Sequence, residues 1–559
     1  MNKKALSIGI VDFKEIIEEN YYYVDKSLLI KELLDGGTKA TLIPRPRRFG
    51  KTINLSMLKY FFEKTEKSNA HLFKDLAIVQ HTDCMAHQGQ SPVIFLTFKD
   101  VKVGTWDKCW EKIKKLISFE YGRHEYILET SILSVKEKED FASIINEKDN
   151  QSLYENSVLN LSVYLTRYHN KQTIILIDEY DAPIHAGYLN NYYSQVIEFM
   201  RNFLSAGLKD NSNLAFGVLT GILRIAKESI FSGLNNLEVC SMLSEHYADK
   251  FGLLEDEVKN LIAYYCPTVD INEVRAWYDG YNVGTKRIYN PWSVINFAKN
   301  KKFDPYWVNT SDNALIKSII AQSPRDAKED IESLIAGKKI SVQINENIVF
   351  QDMEKDACAI WNFFLFTGYL TCDNVRTEEL IKYADVAVPN NEVMSLYKTI
   401  ILDWFSKSVG LRSYQQMLAK LTSGDIENFK EYFYDVIERS LSLFDVSGKE
   451  PERFYHALVL GMLVSLDLTH IIKSNRESGV GRYDVMIIPR DVSKFGIIIE
   501  FKKVSKIRKE TLATAAQNAL KQIDDRKYAS ELEQLGIKKI LKLAIVFEGK
   551  EVLVEQGVE

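Results

Sequence analysis

The sequence predicts an α/β protein in three parts: an N-terminal domain on a largely parallel sheet, a mainly helical middle, and a smaller C-terminal α/β domain. Two observations carry this. Apolar β-rich runs, KATLI (39–43), PVIFLTF (92–98), QTIILID (172–178) and LAFGVLTG (214–221), are separated by long helical patterns, which implies parallel strands covered on both faces. After about residue 447 strands return, as RYDVMIIP, KFGIIIEFK and LKLAIVF, with a helix before the last. A chain of 559 residues is too long for one core. The expected boundaries are 1–236, 237–446 and 447–559.

Composition narrows the class. The chain is 46% hydrophobic and 26% charged, as soluble globular proteins are, and its net charge of −5 announces no polyanionic partner. Any nucleic acid would have to meet a local basic patch. The six cysteines show no C-x-x-C pair and no histidine at metal spacing, so they read as buried thiols in a reducing compartment. Asp12 interrupts the first apolar run too early for a signal peptide, and no stretch reaches the roughly 18 apolar residues of a membrane span. A cytoplasmic protein without a membrane partner is expected.

The first strand leads into RPRRFGKT (45–52) and then a helix placing Ile53, Met57, Leu58, Phe61 and Phe62 on one face. Gly50, Lys51 and Thr52 therefore sit at a helix N-terminus, where free amides and the helix dipole favour phosphate. The pattern G-x-x-x-x-G-K-[ST] asks for glycine at position 45, where the chain has Arg45. Arg45, Arg47 and Arg48 either assist phosphates or are simply solvated. The nucleotide-binding stretch is taken as Arg47, Arg48, Phe49, Gly50, Lys51 and Thr52.

A second element supports ATP binding. The apolar strand TIILIDEYD ends in Asp178 and Glu179, the form of a Walker B element. Asp178, with Thr52, would hold Mg²⁺, and Glu179 would activate the attacking water. A strand intervening between the loop and this pair fits the additional-strand class of P-loop ATPases. At the fourth strand, Thr220 could sense the γ-phosphate, and Arg224 could act as a finger in cis or, in a homo-oligomer, in trans. A capped strand end and a surface arginine are the plainer alternatives. Tyr281 in WYDGY and Trp292 in NPWS read as packing and turn residues that could reach a nucleotide from a lid.

The C-terminal signal stands on separate chemistry. Asp484 in GRYD lies in one strand, and Glu500-Phe501-Lys502 follow in the next. Side chains alternate along a strand, so Glu500 and Lys502 share a face while Phe501 points into the core. The segment between suits a turn that brings Asp484 beside Glu500. Two carboxylates and a lysine can bind Mg²⁺ and orient water for attack on a phosphodiester. Glu477 is either a third ligand or a loop residue. Lys503, Lys506, Arg508 and Lys509 cluster as a phosphate footprint would, or as a solvated helix start. His456 on an apolar helix reads as a core histidine.

YYYVDKSLLIKELL, RPRRFGKT, LIDEYDAPI, TGILRIAKESIFSGLNNL and YNPWSVINF together closely resemble the mainly bacterial AAA-ATPase-like proteins that carry a C-terminal PD-(D/E)XK nuclease domain. The likeness covers nearly the whole chain. In that family the first loop glycine is also missing, so Arg45 follows its pattern. The resemblance implies a restriction-endonuclease-like C-terminal fold, with Asp484, Glu500 and Lys502 as the D…E-x-K core. It implies that Gln522 on the following helix supports the metal site or DNA, and that Asp25-Lys26 belong to a segment touching the nucleotide. It also implies an ATP- and Mg²⁺-dependent nuclease acting on nucleic acid, DNA first, in defence or DNA processing. The alternative is an ATP-switched nucleic-acid-binding or regulatory protein with an inert nuclease core.

Overall fold

The computed structural model describes residues 3–224, 236–310, 316, 330, 331, 333–335, 337–347, 357–408, 411–441, 465, 466, 469–478, 481–504, 510–548 and 551–557. It divides into two compact units, one of residues 1–312 and 341–393, the other of 313–340 and 394–559.

The first unit is built on β1 (Ala40–Pro44), β2 (Val93–Thr97), β3 (Thr173–Asp178), β4 (Leu214–Gly221) and β5 (Leu237–Val239), ordered β2-β3-β4-β1-β5. Every pairing is parallel. β1 and β3 are buried throughout, which is why they read as unbroken apolar runs rather than alternating ones. The strand lying between β1 and β3 in space is β4, whereas β2, which precedes β3 in sequence, takes the edge. Ile43 pairs with Thr220, Leu219 with Ile177 and Asp178 with Thr97, so the loop strand, the acidic strand and both threonine strand tips end at one level. That carboxyl edge is where open parallel sheets bind ligands.

The edge strand β2 is covered rather than bare. Glu120, on the helix Trp106–Arg123, is 2% exposed and accepts from the Phe95 amide at 2.9 Å. Burial raises its pKa, but His124, Arg123 and the Phe95 amide outweigh this and hold the carboxyl below its usual range.

The helical middle also carries strands. β6 (Leu253–Leu254), β7 (Tyr281–Val283) and β8 (Lys286–Tyr289) form one small sheet. β9 (Ile340–Gln343), β10 (Thr371–Glu378) and β11 (Ile381–Ala387) form another. The strands of WYDGY and KRIY are too short for their alternation to stand out from the flanking helices.

The second unit holds β12 (His470–Ser478), β13 (Gly481–Pro489), β14 (Phe495–Lys503), β15 (Lys539–Glu548) and β16 (Glu551–Gln556), adjacent in chain order. The β14–β15 pair is parallel, bridged by the helix Leu512–Asp525, and the others are antiparallel. Ile498 on β14 and Ile523 on that helix pack with Met486, Tyr528 and Leu532. Glu477 lies in β12, opposite Arg482, so it is a strand residue and not a loop one: the hairpin strand begins earlier than its polar sequence suggested. His456, Lys506, Arg508 and Lys509 lie outside the described residues. None of the six cysteines is disulfide-bonded, and all but Cys358 are buried. Among the described residues, no helix is long and apolar enough to cross a membrane.

Candidate functional site

The phosphate-type loop runs from the end of β1 to the helix Lys51–Phe62. Gly50, its N-cap, has φ +84, a left-handed conformation that glycine adopts without cost. Arg48 is also left-handed at φ +67, which is strained for an arginine. Two tryptophans brace it: the Arg48 guanidinium lies 4.2 Å from the Trp292 ring centroid, and Trp307 Nε1 donates to the Arg47 carbonyl at 3.0 Å.

Arg45 neither contacts solvent nor faces a phosphate position. It is fully buried, and its guanidinium donates to the carbonyls of Pro44 (2.8 Å), Cys240 (2.7 Å), Ser241 (3.3 Å) and Tyr247 (3.3 Å). Burial lowers its pKa to about 10. Both sequence alternatives for Arg45, phosphate partner and solvated turn, are thus corrected. A side chain at this position ties the loop to the segment beyond β5, which a glycine could not do.

Lys51 is 5% exposed, and its Nζ donates to the carbonyls of Arg45 and Pro46, both at 2.9 Å. Burial depresses its pKa, while Glu179, Asp178 and Asp181 pull it back up. Asp178 receives three hydroxyls: Thr220 at 2.6 Å on Oδ1, with Thr52 at 2.7 Å and Thr97 at 3.3 Å on Oδ2. Burial raises its pKa, opposed by the Thr220 and Thr52 hydrogen bonds. Neutral donors leave the buried carboxylate with net negative charge. A hydroxyl and a carboxylate side by side fit Mg²⁺, which takes oxygen ligands and keeps several of its waters.

Glu179 has φ +49, and its Oε2 lies 3.1 Å from Lys102 Nζ. Thr220 therefore lies against Asp178. Arg224 is near enough to Glu346 for its charge to help lower that carboxyl, after the Ser241 and Lys382 hydrogen bonds that oppose burial.

Phe49 is buried edge-to-face on Tyr281, ring centroids 5.1 Å apart, and its carbonyl accepts from the Gly252 amide. Tyr281 is fully buried behind it, and Trp292 lies under Arg48, so both serve as loop supports rather than groups reaching from a lid. Phe49, Gly50, Ile53 and Asn54 border an open, mostly apolar pocket, with Tyr22, Tyr23, Val24, Leu261 and Ile295. Lys26 lines it too, paired to Glu257 at 2.7 Å, whereas Asp25 caps the Ser27 and Ala77 amides.

Sequence reasoning missed Thr97, Lys102 and the Tyr180-Asp181 pair. Asp181 is 1% exposed and accepts from the Ile222 and Leu223 amides, while the Tyr180 hydroxyl donates to the Leu223 carbonyl. They fix the chain between Thr220 and Arg224. Only the acidic doubling in DEYD hinted at this.

In the second unit, Glu500 and Lys502 share the β14 face toward the helix Leu512–Asp525. Lys502 Nζ donates to Gln522 Oε1 at 2.7 Å and lies 3.5 Å from Glu500 Oε1, and the Gln522 amide donates to that same oxygen. Glu500 is 2% exposed and Phe501 only half-buried, so the acid lies deeper than the phenylalanine expected to point into the core. The register pairs Val485 with Ile499, which puts Asp484 and Glu500 each one residue beyond that pair on neighbouring strands. The side chains of Asp484 and Lys503 lie outside what the structure describes.

A family model described as "Predicted AAA-ATPase" matches residues 7–231, and one for the PD-(D/E)XK nuclease superfamily matches residues 450–557. A protein of Azotobacter chroococcum mcd 1, described as "Uncharacterized protein in vnfD 5'region", is 26% identical over 553 residues, covering 96% of this chain and 95% of its own length. Loop, acidic strand and matched ranges agree: the chain joins an AAA-ATPase-like domain to a C-terminal domain of the PD-(D/E)XK nuclease superfamily.

Proposed function

We propose that the chain binds and hydrolyses ATP with Mg²⁺ and, under that control, cleaves or processes DNA at its C-terminal domain, in the cytoplasm, with defence against foreign DNA as its setting. The observation that carries the ATPase half is the Asp178 carboxylate receiving Thr52 and Thr220 hydroxyls at the sheet's carboxyl edge, one residue from Glu179. Lys51 leaves its carbonyl partners to meet the β- and γ-phosphates, and Glu179 takes a proton from the attacking water. The mostly apolar pocket beside Gly50 has the chemistry to take the face of a nucleobase. Arg224 acts on the γ-phosphate in cis or, in a homo-oligomer, in trans.

The nuclease half rests on Glu500, Lys502 and Gln522 being drawn together, with Asp484 at the matching register. Asp484 and Glu500 hold Mg²⁺, and Lys502 positions water and steadies charge on the phosphorus oxygens. Incubating the purified protein with plasmid, linear and single-stranded DNA, with and without ATP and Mg²⁺, tests it. Cleavage that needs Mg²⁺ and responds to ATP is expected. Binding without cleavage under every condition would instead favour an ATP-switched nucleic-acid-binding module.

A further inference from the structure

The loop of residues 45–50 contains two left-handed positions. Arg48 (φ +67) and Gly50 (φ +84) flank Phe49, which is not left-handed. Alternation of this kind turns neighbouring amides toward one side and makes an anion-binding concavity. Gly50 takes its conformation freely, whereas an arginine stays there only when its surroundings hold it.

The groups that hold Arg48 converge on one carboxyl. Trp307 is 1% exposed and donates from Nε1 to the Arg47 carbonyl at 3.0 Å, while its own amide donates to Glu392 Oε1 at 2.5 Å. Trp292 lies under the Arg48 guanidinium, and the next residue, Ser293, donates its hydroxyl to Glu392 Oε2 at 2.7 Å. Each oxygen of Glu392 thus steadies one of the two tryptophan braces. Glu392 is fully buried in the first turn of the helix Asn391–Ser408. That turn is itself tied down: Asn390 accepts from the Val393 amide at 3.1 Å and donates to the Asp279 carbonyl at 2.7 Å.

We infer that Glu392 is a positioning residue for nucleotide binding: through Trp292 and Trp307 it holds Arg48 left-handed, so the loop is shaped for phosphate before nucleotide arrives. The inference rests on the loop binding ATP phosphates, as proposed above. Without the brace Arg48 relaxes and the binding-competent loop becomes a minor form. Affinity then falls by the fraction lost, about tenfold for strain of this kind. Turnover of bound nucleotide is unchanged, because the loop that carries it is the same.

Calorimetry with ATP and Mg²⁺, unfolding midpoints and steady-state ATPase assays on the full chain compare wild type with five variants. These are Glu392→Ala, Glu392→Gln, Trp307→Phe, Glu392→Ala/Trp307→Phe and Lys51→Ala. Glu392→Ala is expected to raise Kd and KM about tenfold with kcat near wild type. Glu392→Gln stays near wild type, because a carboxamide accepts from the Trp307 amide and meets the Ser293 hydroxyl. Trp307→Phe, which removes the donor to Arg47, raises Kd about threefold. The double variant binds about as weakly as Glu392→Ala, since both changes act through one brace.

A Glu392→Ala chain with a lowered unfolding midpoint but the wild-type Kd overturns the inference, and so does a Glu392→Gln loss as large as that of Glu392→Ala. Should Glu392→Ala fail to fold, Trp307→Phe decides: a raised Kd supports the brace and an unchanged one overturns it. Either overturning result beside a weakened Lys51→Ala removes the brace alone. If the wild type binds no ATP, or Lys51→Ala binds it equally well, the loop assignment fails and the inference falls with it.

Discussion

Asp178 and Glu500 are both buried carboxylates on interior strands of their sheets, yet they are held differently. Asp178 receives three neutral hydroxyls, while Lys51, whose charge acts on it, donates to backbone carbonyls. Glu500 is met by an amide and has an ammonium 3.5 Å away. A carboxylate held by hydroxyls alone keeps its charge available to a cation, whereas Glu500 already has one beside it. Metal arriving at β14 must therefore share Glu500 with Lys502, and metal arriving at β3 displaces no charged partner.

The sharpest way to separate the two sites is to remove the C-terminal acids. Glu500→Ala and Asp484→Ala should each reduce DNA cleavage to background while ATPase activity stays near wild type, checked by gel cleavage and phosphate-release assays on the same preparations. Cleavage persisting in both variants would place the activity elsewhere.

Next in size is Arg45→Gly, which restores the consensus loop glycine. It removes a buried guanidinium from four carbonyls and opens a cavity, so the chain should lose on the order of 4 kcal/mol of stability, seen in urea unfolding. ATP affinity should fall rather than rise, because the loop loses its tether. A variant as stable as wild type would show that the arginine is not the anchor.

Lys51→Ala should weaken ATP binding about a hundredfold by calorimetry, the loss of roughly 3 kcal/mol of charge-assisted hydrogen bonding. A stability loss of about 1–3 kcal/mol accompanies it, since the Arg45 and Pro46 carbonyls lose their donor. An unchanged affinity would remove the phosphate-loop assignment.

The smallest effect concerns Glu392, a fully buried carboxyl that accepts from the Ser293 hydroxyl (2.7 Å) and the Trp307 amide (2.5 Å) behind the loop. Burial raises its pKa to about 7, against hydrogen bonds that lower it. The folded chain thus holds a proton the unfolded chain has released, so this group's contribution to stability falls as pH rises from about 4.5 to 7 and levels off above that. Between pH 6 and 8 the wild type should lose about 1 kcal/mol that Glu392→Gln does not, measured by unfolding midpoints at both pH values. Parallel curves for the two proteins would rule out the buried proton.

Much of the first site was legible because it is linear: strand, loop and helix for Lys51, strand and acid for Asp178. Thr97 and Lys102 were not, since an edge strand reaches Asp178 only through sheet order, and order is not written in the spacing of runs. Arg45 was misjudged because its partners, Cys240 to Tyr247, lie nearly 200 residues away. Tyr281 reads in the sequence as a packing residue that could also reach from a lid, because no local pattern shows that Phe49 covers it. In the C-terminal domain the alternation of β14 located Glu500 and Lys502, but the depth of Glu500 depends on the covering helix. Both β12 and β16 escaped because polar and charged residues dilute their runs.

Glu120 on the flank of β2 bears on how this molecule meets copies of itself. A bare edge strand offers amides and carbonyls to any other strand and so invites sheet-to-sheet growth. A buried carboxylate already bonded to the Phe95 amide removes a donor from that edge, and the helix that carries it lies along the strand there. At Phe95, strand addition on this side finds its donor already taken.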